Sequence, residues 1–180
     1  MSRPAPPVPA KLVLSLLSSD RALLTGELPH ILEHSFGPID LLTEPIAFTE
    51  TSYYDAELGT PILRRFLSLV QLVEQDRLVE MKLRTNALEQ RLARGDGRRR
   101  VNIDPGWLTL ERFVLATGKN NAHRIYLGRG IWADLTLLYR KSGWQALPWT
   151  FFDYAGTEVQ SVLTRIRDRY KTQLQQAGLL

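Results

Sequence analysis

The sequence predicts an α+β class single domain with a ferredoxin-like β-α-β-β-α-β core, extended by a β-hairpin and closed by a C-terminal amphipathic helix. Three observations carry that expectation. Short apolar runs bounded by turn residues recur along the chain, two stretches of helical period fall between them, and residues 157–174 repeat apolar side chains at steps of three and four.

Residues 1–10 set prolines among small residues, which reads as a flexible Pro-rich arm ahead of a single domain over 11–180. Lys11 to Leu17 is a short apolar run suited to a buried strand, and Ser18-Ser19-Asp20 supplies helix-capping side chains. Leu24, Leu28, Ile31 and Leu32 then keep helical spacing up to Gly37, with Pro29 expected to delay the helix to near Thr25. Ile39 to Phe48 reads as an edge strand interrupted at Pro45, and Arg65 to Val73 as a third strand. Leu78, Met81, Thr85, Leu88 and Leu92 give residues 74–93 an apolar stripe, while Lys82, Asn86 and Glu89 read as a solvated face of the same helix. Arg98 to Gly106 reads as a strand ending in an Asp104-Pro105-Gly106 turn. Residues 108–116 fit either a strand or a short helix. His123 to Leu127 is a strand, residues 131–139 alternate at the strand period, and Lys141-Ser142-Gly143 turns back to Trp144. Thr157 with Gln160 matches a capping box at the start of the last helix.

Composition narrows the chemistry. A chain of 180 residues that is 44% hydrophobic and 23% charged can bury a core, and its apolar runs fall far short of the roughly 20 residues a spanning helix needs. With no cysteine, disulfides, thiolate metal sites and cysteine nucleophiles are excluded. The N-terminus lacks the apolar stretch of a signal peptide, so a cytoplasmic location is expected. The net charge of +4 is uneven: residues 1–90 hold 8 Lys+Arg against 12 Asp+Glu, and residues 91–180 hold 15 against 7. A basic second half favours an anionic partner.

Thr117-Gly118-Lys119-Asn120 has the outline of a phosphate-binding loop but fails its chemistry. Phe113 stands where the first glycine belongs, and Asn120 where a Ser or Thr would meet Mg²⁺. Longer strings carry more: RRVNIDPG (99–106), HRIYLGRGI (123–131), PWTFFDY (148–154), KLRTNALE (82–89) and YYDAELG (53–59). In their order along the chain they resemble the prokaryotic family DUF4416, a domain of unknown function, over nearly the whole chain past the arm. The family's shared segments fall on Val101 to Gly106, Lys119, His123 to Gly128 and Pro148 to Tyr154, with Phe151-Phe152 standing where the family has Tyr-Pro. The resemblance implies no reaction.

The residues predict a polar cleft for an anionic, phosphate-bearing small ligand, a nucleotide among the options, and leave open whether the protein is an enzyme acting on it. Lys119, Arg124 and Arg129 are the candidate anion holders, since cationic side chains bond oxyanions strongly. His123 and Asp104 are the acid–base candidates. Strand alternation is expected to send His123 and Arg124 to opposite faces. Tyr53, Tyr54 and Trp149 would wall the ligand, and Asn102 and Asp153 complete the polar set. No metal site is expected, and neither a cofactor nor an oligomeric state is specified. One alternative is an RNA- or DNA-binding module using Arg98-Arg99-Arg100 with Arg165, Arg169 and Lys171 of the last helix. The other is a protein-partner-binding domain with no small-molecule site.

Overall fold

A computed structural model describes residues 3–180. The first strand, β1 (Ala10–Ser18), is buried along its whole length, because layers cover both of its faces. Leu12, Leu14 and Leu16 point to one side and Val13 to the other, as the strand period requires. Asp20 then caps α1 (Arg21–Thr25) by accepting the Leu23 N–H at 2.9 Å. The expected delay at Pro29 is absent: the helix starts at once, breaks at Gly26 and resumes as α2 (Glu27–Phe36). Pro29 sits in the first turn of α2, where its missing N–H would have had no intrahelical partner anyway.

Pro45 divides the next extended segment into β2 (Ile39–Leu42) and β3 (Ile46–Ala47), both laid on β4 (Leu63–Val73). Between β3 and β4 lies a one-turn helix, α3 (Asp55–Leu58), and after β4 comes α4 (Leu78–Arg91). With β5 (Asn102–Leu108) the core is complete, and its strand order β2-β4-β1-β5, antiparallel throughout, is the ferredoxin-like one. β6 (Arg112–Thr117), β7 (Arg124–Gly128), β8 (Ile131–Arg140) and β9 (Gly143–Ala146) widen the sheet to nine strands. β7 is its far border, with a bulge between Tyr126 and Gly128; Ile125, Tyr126 and Leu127 are exposed there.

One face of the sheet packs on α1, α2 and α4 through Leu24, Leu28, Leu32, Met81 and Leu88. The other packs on α5 (Phe152–Ala155) and α6 (Thr157–Gln176) through Tyr154, Val159, Leu163, Ile166 and Tyr170. α6 covers only part of its face. Among the described residues no helix is long and apolar enough to cross a membrane.

Two local expectations are corrected. The capping box at Thr157 does not form: Gly156 is the N-cap, and the Gln160 amide donates to the Tyr154 and Ala155 carbonyls instead. Asp104-Pro105-Gly106 is not a turn either, but the middle of β5, registered on β1 from Lys11↔Leu108 to Leu17↔Asn102. Sheet context overrides turn chemistry because β6 joins β5 only from Gly106 onward. Pro105 therefore costs no bond on that side.

Gly106 is required by proximity. A Cβ there would lie 2.6 Å from the Val114 carbonyl oxygen and 3.0 Å from the Phe113 ring. We expect Gly106→Ala to destabilise the domain by about 3 kcal/mol, the upper part of the overpacking range, and to lower Tm by roughly 6–12 °C in thermal denaturation followed by circular dichroism. An unchanged Tm would show that β5 and β6 separate at no cost.

Candidate functional site

The late arrival of β6 leaves the outer edge of β5 open at Ile103, and two side chains of α4 close it. The Glu89 carboxylate accepts the Ile103 N–H at 2.6 Å, and the Lys82 ammonium donates to the Ile103 carbonyl at 3.3 Å. Lys82 also reaches Asp104 Oδ1 at 2.9 Å, while Asn102 donates to Asp104 Oδ2 at 2.6 Å. Arg99 ties this group to the 53–59 segment: it donates to Asn102 at 2.7 Å, to Glu89 at 3.1 Å and, from two nitrogens at 2.6 Å each, to Glu57. The expected solvated face of α4 is thus partly wrong, since Lys82 and Glu89 are both buried.

Electrostatics follow from this geometry. Burial opposes ionisation of Asp104, but the charge and hydrogen bond of Lys82, the Asn102 amide and the charge of Arg64 together hold its carboxyl below the usual range. The Arg99 hydrogen bonds lower Glu57 in the same way. Burial pushes the Glu89 carboxyl up, and the Tyr54 phenol up to about 12.

Arg64, on the same sheet face, is the anomaly. Its side chain is 6% exposed, boxed by the rings of Phe48, Tyr154 and Phe66 at 4.7, 5.0 and 5.4 Å. The Asp153 carboxylate pairs with Nη1, while the buried Nε finds no hydrogen-bond acceptor. Five donors on a buried guanidinium normally find partners.

Further along the sheet, Asp134 is buried on β8 and its Oδ2 accepts Arg124 Nε at 2.8 Å and meets His123 Nε2 at 3.2 Å. His123 and Arg124 thus converge rather than diverge. His123 lies in the turn before β7, outside the strand alternation that was expected to separate them. Residues 147–154 run as a strap over this face. Trp149 stacks on His123 at 5.0 Å with its indole N–H on the Leu135 carbonyl, and Thr150 bonds the Thr136 carbonyl.

The ten candidates therefore fall into three places. Asn102 and Asp104 touch, with Asp153 at the neighbouring Arg64 and Tyr54 close enough to feel both Asp104 and Arg64. His123, Arg124 and Trp149 form the Asp134 group, linked through the Lys119 carbonyl to the exposed pair Lys119–Tyr53. Arg129 stands apart, exposed at φ 54° in the β7–β8 turn. Grooves of about 390 Å³ between α2 and α4, at Phe36 and Arg84, and of about 310 Å³ at Phe48 and Pro61, are lined by none of the ten. Arg64, Glu57 and Asp134 were given no role by sequence reasoning, and Lys82, Glu89 and Arg99 were given others, a solvated helix face and a nucleic-acid contact. All five strings that carry the resemblance supply a side chain to the Asp104 or Asp134 group or to Arg64. Among the described residues no cluster of His, Asp and Glu is arranged to hold a metal ion.

Lys82→Met should cost about 2 kcal/mol at pH 7, because Lys82 is buried while Asp104 keeps 29% of its side chain open to solvent. Asp104 has a depressed folded pKa, so the pair's contribution is present above the unfolded value near 3.9 and fades as pH falls below it. In urea titrations the gap between wild type and variant should narrow from pH 5 to pH 3. A gap independent of pH would assign the loss to packing alone.

No curated protein matches the chain, and no solved structure matches it. A family profile does, the one described as "Domain of unknown function (DUF4416)", over residues 8–170. With that match spanning all nine strands and most of α6, the chain belongs to the DUF4416 family.

Proposed function

We propose that the protein binds a small anionic ligand at the α6-side end of its sheet, with Arg64 as the anchor. The observation that carries this reading is a buried guanidinium whose Nε lacks an acceptor although Asp153 already pairs with its Nη1. An oxyanion supplies the lone pairs that such a donor lacks, and a planar fork of donors is why arginine dominates recognition of phosphate and carboxylate. Asn102, Asp104 and Lys82 form the polar floor beside it, and Tyr54 stands at its flank.

The anion-holding role thereby moves from Arg124 and Arg129 to Arg64. Arg124 already has its Nε bonded to Asp134 and its Nη1 to the Lys119 carbonyl, and Arg129 is remote. A small ligand is favoured over nucleic acid because Arg98, Arg99 and Arg100 are each paired to a carboxylate, Asp96, Glu57 and Asp20 respectively. Their charge is largely spent within the chain. Arg165, Arg169 and Lys171 remain exposed on α6, away from that cluster.

Inorganic phosphate is the simplest probe. At about ten times its Kd it should stabilise wild type by roughly 1.4 kcal/mol, a Tm rise of about 3–6 °C in scanning calorimetry, and Arg64→Gln should show no rise. Equal rises in both proteins would remove Arg64 from the site.

A further inference from the structure

We propose that Asp153 is a built-in stand-in for the ligand's anionic group, so that the strap carrying it gates Arg64 and ligand enters by displacing it. The inference rests on the anion reading above.

The strap is fastened unevenly. At its near end the Leu147 N–H donates to Thr150 Oγ1 at 2.8 Å, and Thr150 donates to the Thr136 carbonyl at 2.5 Å. Trp149 adds its 2.8 Å bond to the Leu135 carbonyl and its stack on His123. Beyond Asp153, Tyr154 is locked between Phe66 and Phe113, with centroids at 6.0 and 5.8 Å. Between these anchors Phe151 rests on the Tyr154 ring at 6.5 Å and is 46% exposed, and Phe152, at the start of α5, is 85% exposed, so Phe152 adds little to hold the middle down.

What remains is Asp153 itself. Its carboxylate pairs with Arg64 Nη1 but leaves the buried Nε unfilled, so it balances the charge and leaves a donor wanting. An incoming oxyanion offers several acceptor oxygens and satisfies both requirements. The two anions repel each other at one guanidinium, so binding the second expels the first. The hydrogen bond gained at Nε sets the direction of exchange, and the exposed Phe152 lets the segment beside Asp153 shift while Tyr154 stays in the core.

The test is calorimetric titration of inorganic phosphate into the full chain, with Asp153→Asn, Thr150→Val and Arg64→Gln alongside wild type. Asp153→Asn removes the competing charge and should bind phosphate about tenfold tighter, the equivalent of one charge-assisted contact. Hydrogen exchange at 149–153 should rise in that variant. Thr150→Val loosens the strap without touching Arg64 and should tighten binding by a smaller factor, which keeps the test decisive if Asp153→Asn fails to fold. Tighter binding in either folded strap variant supports the gate. Unchanged or weaker binding in both, with wild type binding and Arg64→Gln silent, overturns the gate and leaves the anion site standing. No binding by wild type or by the strap variants overturns the anion site and the gate together.

Discussion

The polar interior of this protein depends on a backbone requirement at one residue. Ile103 presents an N–H and a C=O on the side of β5 that β6 has not yet reached, and buried backbone groups must be bonded. A helix, unlike a strand, can satisfy them only with side chains. Glu89 and Lys82 take that task, and each brings a charge that must be answered in turn. Arg99 answers Glu89, Asp104 answers Lys82, and Glu57 and Asn102 complete the circuit. A ferredoxin-like core would ordinarily be apolar on the face that receives its helices, and here one gap in the sheet draws a charged network into it.

That network and the Arg64 box are opposite solutions to burial. In the first, every charge is hydrogen-bonded to a partner of opposite sign, which fixes the geometry and holds Asp104 and Glu57 ionised. In the second, a charge is held by rings and one buried counter-ion. One sheet face thus carries both a cluster whose charges are all hydrogen-bonded and a cation with a buried donor unfilled. Lys11, at the other end of that face, belongs to the first kind: burial lowers its pKa, and Asp40 and Gln173 hold it under α6.

Periodicity made much of this legible in the sequence. β1, the β8–β9 hairpin and α6 follow their apolar spacing, and the order of the first six elements is the ferredoxin-like order found in the sheet. What failed was local chemistry read without neighbours. Asp104-Pro105-Gly106 has the composition of a turn, and only the partner strands make it extended. Lys82 and Glu89 flank the Met81–Leu88 stripe on the helix surface, seven residues apart and so on one side; that spacing was the available signal, and their charge obscured it. Asp134 alternates with Ala133 and Leu135 as a solvent-facing residue would, but the strap covers the face it occupies. Arg64 stood just outside the strand drawn from Arg65, two residues from Phe66 and on the same face, where a ring box is visible only in three dimensions.

The two borders of the sheet are unlike. At one, β2 is four residues long, bulged between Ile39 and Leu41, followed by Pro45, and it turns the charged Asp40 inward to Lys11. Those features discourage another strand from adding there. At the other, β7 keeps Ile125, Tyr126 and Leu127 open to solvent, with one bulge for protection. Strand addition is therefore available on one side only. A chain with a single sticky border terminates growth as soon as it is used: two copies joined through β7 would present only their blunt borders, and the assembly would close at a pair instead of running on into a fibre.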